Sequence, residues 1–173
     1  MKGEAMKEET VQAFLRGLKR AGIDFIVTLP FTQAARLLPA LAKEPQFKYV
    51  QVNNEGDGMV IAAGAWMGGK RPALIVENTA LCLGAYALAG LDGMYGGMPM
   101  LLLVDHRGSY GDGGGYWYFA GGQMAPVILD GLKIPYATIN EPAGLDEAIV
   151  RGQATVEASS RPAALLMGCT DHW

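Results

Sequence analysis

The chain has 173 residues, half of them hydrophobic and 18% charged, with a formal charge of -3 and a pI near 5.4. That profile excludes a disordered chain and fits one compact unit. The slight acidity, with no basic run or RNA-binding motif, argues against a nucleic-acid partner. Gly, Asp or Pro interrupts every long apolar run, so no membrane span is expected. The opening residues, MKGEAMKEET, are polar and charged, so no secretory leader is expected. Cys82 and Cys169 lie far apart without a CxxC spacing, which fits a reduced, cytoplasmic setting.

In chain order, an amphipathic helix is predicted over Glu9–Ala21, closed by Gly22. A strand follows at Ile23–Leu29, ended by Pro30, then a helix over Thr32–Lys43 with Thr32 as its cap. The run Phe47–Val52 alternates and carries β-branched and aromatic residues, so it reads as a strand. A helix of small apolar residues is predicted over Met59–Gly69, then an apolar strand at Ala73–Glu77. Next come a helix over Leu81–Tyr95 and the strand Pro99–Val104. Continuous apolar strands of this kind suit a parallel sheet covered on both faces. Asp105 to Gly122 reads as irregular, with seven glycines between Gly108 and Gly122. A short helix (Met124–Leu132), a strand (Tyr136–Ile139), a helix (Leu145–Ser159) and a strand (Ala163–Met167) complete the chain. The alternation predicts one doubly wound α/β domain over residues 1–173, with a six-stranded, mostly parallel sheet and helices on both faces.

Asn53-Asn54-Glu55-Gly56-Asp57-Gly58 lies between a strand and a buried helix. It places Glu55 at the carboxyl end of the strand, the edge where open α/β sheets collect ligands. The alternative is local: Asn53 or Asn54 caps the helix and Glu55 complements its positive N-terminus. Gly-Asp-Gly occurs at Gly56–Gly58 and Gly111–Gly113, but neither is followed by the paired asparagines that a metal and diphosphate motif needs. His106 and Arg107 follow the most buried strand at the same sheet edge. Arg107 suits an anion clamp, or a salt bridge to Asp105 or Asp112. Ser109 lacks the strand–turn–helix setting of a nucleophile, Cys82 reads as a helix core residue, and His172 sits at the terminus. Tyr110 and the run Tyr116-Trp117-Tyr118-Phe119, flanked by glycines, read either as a flap over a ligand or as an interface patch.

Taken together, these motifs resemble a known family. The matching pieces are Asn53–Gly58, Gly68-Gly69-Lys70-Arg71-Pro72-Ala73, Glu77-Asn78, Pro99–Leu103, Arg107-Gly108 and Ile128-Leu129-Asp130-Gly131-Leu132-Lys133-Ile134-Pro135-Tyr136. Their order resembles the pyrimidine-binding domain of sulfopyruvate and phosphonopyruvate decarboxylases, above all the alpha subunit of the two-chain forms. The resemblance implies a subunit of a thiamine-diphosphate-dependent decarboxylase of 2-oxo acids. It implies that Glu55 hydrogen-bonds the cofactor's aminopyrimidine ring, and that Asn54, Asn78 and Thr79 lie on the cofactor side. His106, Arg107 and Tyr118 then lie on the substrate side. It further implies a beta subunit that holds the diphosphate and Mg2+, in a hetero-oligomer with two or more copies. A carboligase subunit, or a non-catalytic scaffold that kept the fold, are the competing readings. The chain departs from the family at Thr79-Ala80-Leu81-Cys82, at Gly114–Tyr118, and at His106, where the family has Trp. These changes touch the substrate side, and the aromatic run suggests a bulkier or less charged acid.

Overall fold

In a computed structural model that describes residues 6–112, 115–168 and 173, the chain forms one sheet of six strands. They are β1 (Phe25–Thr28), β2 (Lys48–Gln51), β3 (Pro72–Glu77), β4 (Leu101–His106), β5 (Tyr136–Ile139) and β6 (Ala163–Gly168). The order across the sheet is β2-β1-β3-β4-β6-β5, and every pairing is parallel. The helices are α1 (Glu8–Arg20), α2 (Leu37–Lys43), α3 (Glu55–Met67), α4 (Thr79–Tyr95), α5 (Phe119–Gly131) and α6 (Leu145–Ser159). Because successive strands run outward from β1 in one direction and from β3 in the other, the topological switch point lies between β1 and β3.

Period-two alternation of the strands divides the core into two layers. Ile26, Ile75, Leu101, Leu103 and Leu165 pack with α1, α2 and α6 on one face. Val27, Leu74, Val76, Leu102, Val104 and Leu166 pack with α3, α4 and α5 on the other. The central strands β3 and β4 are buried almost throughout, whereas the edge strands β2 and β5 are largely exposed. α1 follows its sequence pattern closely. Val11, Phe14, Leu15 and Leu18 are buried along one stripe, with Glu8 and Glu9 in the first turn and Lys19 and Arg20 in the last, as the helix dipole favours.

Three expectations are refined. The sheet is wholly rather than mostly parallel. The segment Thr32–Lys43 is not one helix: a 3-10 turn at Gln33–Ala35 precedes α2, and Thr32 makes no side-chain cap. Pro39 accounts for the break, since its ring would crowd the carbonyl of residue 35 in a continuous helix. Asp105 to Gly122 is more ordered than its glycines suggest. β4 continues to His106, Tyr116–Tyr118 form a 3-10 turn, and α5 begins at Phe119 rather than Met124. Cys169, His172, Gly113 and Gly114 lie outside the described residues.

Gly17 permits the contact between α1 and α6. A Cβ there would lie 2.9 Å from both Asp146 Cα and Ile149 Cδ1. Gly17→Val is therefore expected to lower stability by about 2–3 kcal/mol through overpacking, read from the midpoint of urea unfolding. An unchanged midpoint would show that the two helices are not held in this contact.

Candidate functional site

Because all strands are parallel, their carboxyl ends share one edge, and α3, α4 and α5 start there after β2, β3 and β4. Asn54 is the N-cap of α3: its backbone is extended and its Oδ1 accepts from the Asp57 N–H at 3.1 Å. The capping alternative is thus correct for Asn54. It also fixes Glu55 as the first residue of the helix. Glu55 is half-buried, and no hydrogen bond or ion pair reaches its carboxylate among the described residues. Its turn is pressed against α4, where a Cβ on Gly84 would strike the Met59 side chain and lie 3.7 Å from the Glu55 carbonyl. A carboxylate placed here is favoured by the helix N-terminus. It is rigid at the backbone and uncommitted at the side chain.

Asn78 and Arg107 form a second, buried group. The Asn78 amide clamps the backbone of Arg107, with Nδ2 donating to its carbonyl at 3.1 Å and Oδ1 accepting from its N–H at 3.2 Å. Only 4% of Arg107 is exposed. Its Nε lies 3.3 Å from Asp112 Oδ2, and its guanidinium stacks 4.9 Å over the Tyr118 ring. Gln33, with its amide oxygen turned toward the guanidinium, accepts from Arg107 Nη1 and donates to Asp105 Oδ2 at 3.3 Å. The salt-bridge reading of Arg107 is therefore realised with Asp112. Asp112, the acidic residue of the second Gly-Asp-Gly, also accepts from the Gly108 N–H in the loop after β4. The first Gly-Asp-Gly is simply the opening turn of α3. Among the described residues, no group of three or more His, Cys, Asp or Glu is placed to hold a metal ion.

Thr79 opens α4 and is exposed. His106 is buried, and its Nε2 lies 2.7 Å from the Gly122 carbonyl. Tyr118 is half-buried in the 3-10 turn before α5, between exposed Trp117 and Phe119. The structure thus draws Asn78, Thr79, His106, Arg107 and Tyr118 together around the ends of β3 and β4. Glu55 stands at the start of the neighbouring helix. Sequence reasoning missed Gln33 and Glu77 as members of this group; nothing in the local pattern of either residue signals it.

A family model described as thiamine pyrophosphate enzyme, N-terminal TPP binding domain, matches residues 8–129, a span that includes Glu55, Asn78 and Tyr118. The chain belongs to this thiamine pyrophosphate enzyme family. Within the family it is similar to the sulfopyruvate decarboxylase subunit alpha of Methanothermobacter thermautotrophicus. The two are 34% identical over 148 residues, covering 83% of this chain and 86% of the relative. A sulfopyruvate decarboxylase of Methanosarcina acetivorans is 30% identical over 124 residues, which cover 72% of this chain but 31% of that longer protein. Among solved structures, a 2-oxoglutarate:ferredoxin oxidoreductase from Magnetococcus marinus superposes with a TM-score of 0.71 at 18% identity. The match covers 95% of this chain and 29% of that one, and shows the shared fold alone.

Burial raises the Glu77 carboxyl above its ordinary value of 4.5, and the nearby Asp112 adds to this, while Arg107 and the Thr79 hydroxyl oppose it. A raised folded-state pKa means that the folded protein holds this proton longer than the unfolded chain does. Stability from this group is therefore lost as pH rises from 4.5 through the raised value. Glu77→Gln removes the titration, so the variant is expected to lose less stability than the parent over that interval, measured by urea unfolding at a series of pH values. Parallel pH profiles for the two proteins would contradict this assignment.

Proposed function

We propose that residues 1–173 act as the pyrimidine-binding unit of a thiamine-diphosphate-dependent decarboxylase. The substrate would be a 2-oxo acid like sulfopyruvate or phosphonopyruvate, or a bulkier one. The observation that carries this reading is Glu55: a rigidly placed, half-buried carboxylate without a partner among the described residues, at the ligand edge of the sheet and inside the matched family span. When bound, thiamine diphosphate supplies the carbon nucleophile and the electron sink for loss of carbon dioxide. Glu55 would hold and exchange a proton at the aminopyrimidine ring. Asn54 fixes its backbone through the N-cap, and Gly84 brings α4 close behind it. Thr79 would face the cofactor from the start of α4. Asn78, whose amide is engaged by Arg107, would act by holding the end of β4 in place.

On the substrate side, Tyr118 and its aromatic neighbours would cover the acid, seated on Arg107 and anchored by His106. A beta subunit would hold the diphosphate and Mg2+. Two observations support such a partner. Relatives carry the name subunit alpha, and the Methanosarcina acetivorans protein is a longer chain of which this one matches under a third. The outer faces of α3 and α4 also leave large apolar side chains exposed, including Val60 and Met67 on α3 and Leu83, Tyr86 and Met94 on α4. An apolar surface of that kind, beginning beside Glu55, suits burial in an assembly. The complex would then be a hetero-oligomer with two or more copies. No described helix is long and apolar enough to cross a membrane, and we place the complex in the cytoplasm.

Glu55→Gln keeps size and hydrogen-bonding capacity but cannot exchange the proton. In the reconstituted enzyme it is expected to fold normally and to lose about 100- to 10,000-fold in kcat, with a smaller change in KM. Near-parental turnover would reduce Glu55 to a helix-terminus residue.

A further inference from the structure

α5 carries a proline in its interior, Pro126. In an α-helix the N–H of residue 126 would bond the carbonyl of residue 122. Proline has no N–H, and its ring crowds that same carbonyl. Gly122 is buried, so its carbonyl cannot turn to water instead. A side chain takes the place of the lost donor: His106 Nε2 lies 2.7 Å from the Gly122 oxygen. A carbonyl only accepts, so Nε2 carries the proton. The other ring nitrogen, Nδ1, is buried and meets no hydrogen-bonding partner among the described residues.

The surrounding backbone is built for this contact. A Cβ on Gly122 would strike the carbonyl group of Gly108, and a Cβ on Gly108 would strike the carbonyl of Tyr118 and lie 2.9 Å from Phe119 Cα. Gly108 also sits at φ +74°, a conformation that favours glycine. The end of β4 and the first turns of α5 are therefore nested backbone to backbone, and the His106 bond closes the nest from inside. On its outer side the same nest carries Tyr118, whose ring lies over Arg107.

We propose that His106 supplies the hydrogen bond that Pro126 denies to α5. By that bond it positions the turn Tyr116–Tyr118 over the carboxyl end of β4. His106 is thus a positioning residue, one that acts through the aromatic turn rather than on the reacting atoms. The link to substrate rests on the decarboxylase reading; the latch between His106 and Gly122 does not.

Thermal unfolding of the full chain tests the latch in a double-mutant cycle. His106→Leu leaves the Gly122 carbonyl without a donor and is expected to lower Tm by about 5 °C. In a Pro126→Ala background, the N–H of residue 126 serves that carbonyl, so His106→Leu is expected to lower Tm by about 1 °C or less. The general gain from replacing a helical proline cancels in the comparison. His106→Gln, which keeps a donor near the position of Nε2, is expected to stay close to the parent. An equal loss on His106→Leu in both backgrounds would overturn the latch, as would a 15N spectrum showing the His106 proton on Nδ1. In the reconstituted enzyme, His106→Leu is expected to raise KM for the 2-oxo acid about tenfold with a smaller change in kcat, and His106→Gln to restore it. An unchanged KM beside a confirmed cycle would overturn the positioning role and leave the latch intact.

Discussion

The carboxyl edge of this protein is organised around one buried charge, the Arg107 guanidinium. A cation removed from water is tolerated only when it is paired and its donors are satisfied. Here the pairing gathers segments that the chain order keeps apart. Gln33 comes from the turn after β1 and bridges to Asp105 on β4, Glu77 comes from the end of β3, and Asp112 and Tyr118 come from the loop before α5, while Asn78 clamps the Arg107 backbone. At Glu77 the cost of burying a carboxylate outweighs the attraction of Arg107. The result is a buried, paired floor beneath the aromatic turn at the ends of β3 and β4.

Glu55 stands apart from that group, and the contrast is informative. The Arg107 cluster spends its polar atoms on holding strand ends and loops together. Glu55 spends none of its side chain on the fold, although its backbone is fixed by Asn54 and its turn is pressed against α4 at Gly84. A site that must act on a bound molecule needs a rigid frame with a few uncommitted groups. The frame and the uncommitted carboxylate are both present on this edge. The exposed apolar faces of α3 and α4 begin beside the same carboxylate, which is the arrangement expected of a half-site that another chain completes.

Much of this was legible in the sequence. The apolar runs Leu74–Val76 and Leu101–Val104 announced buried parallel strands, and the spacing of Val11, Phe14, Leu15 and Leu18 announced α1. The position of Glu55 between a strand and a small-residue helix gave its place at the ligand edge. What escaped was set by contacts distant in sequence. Gln33 lies in an unremarkable stretch, and only the fold brings it to Arg107. Helix α5 begins in a run of aromatics and glycines that disfavours helix; Gly122 is tolerated there because close approach to Gly108 requires it. The resemblance puts Asn78 on the cofactor side, and only the fold shows that its amide is engaged by the backbone of Arg107.

The proposed function requires that this chain provide the pyrimidine-binding half of a shared cofactor site, with the diphosphate held by another chain. Calorimetric titration of thiamine diphosphate with Mg2+ into the chain alone, and into the chain co-purified with its partner subunit, tests it most directly. Weak or no binding to the chain alone and clear binding to the complex are expected. Tight, Mg2+-dependent binding to the isolated chain would contradict it.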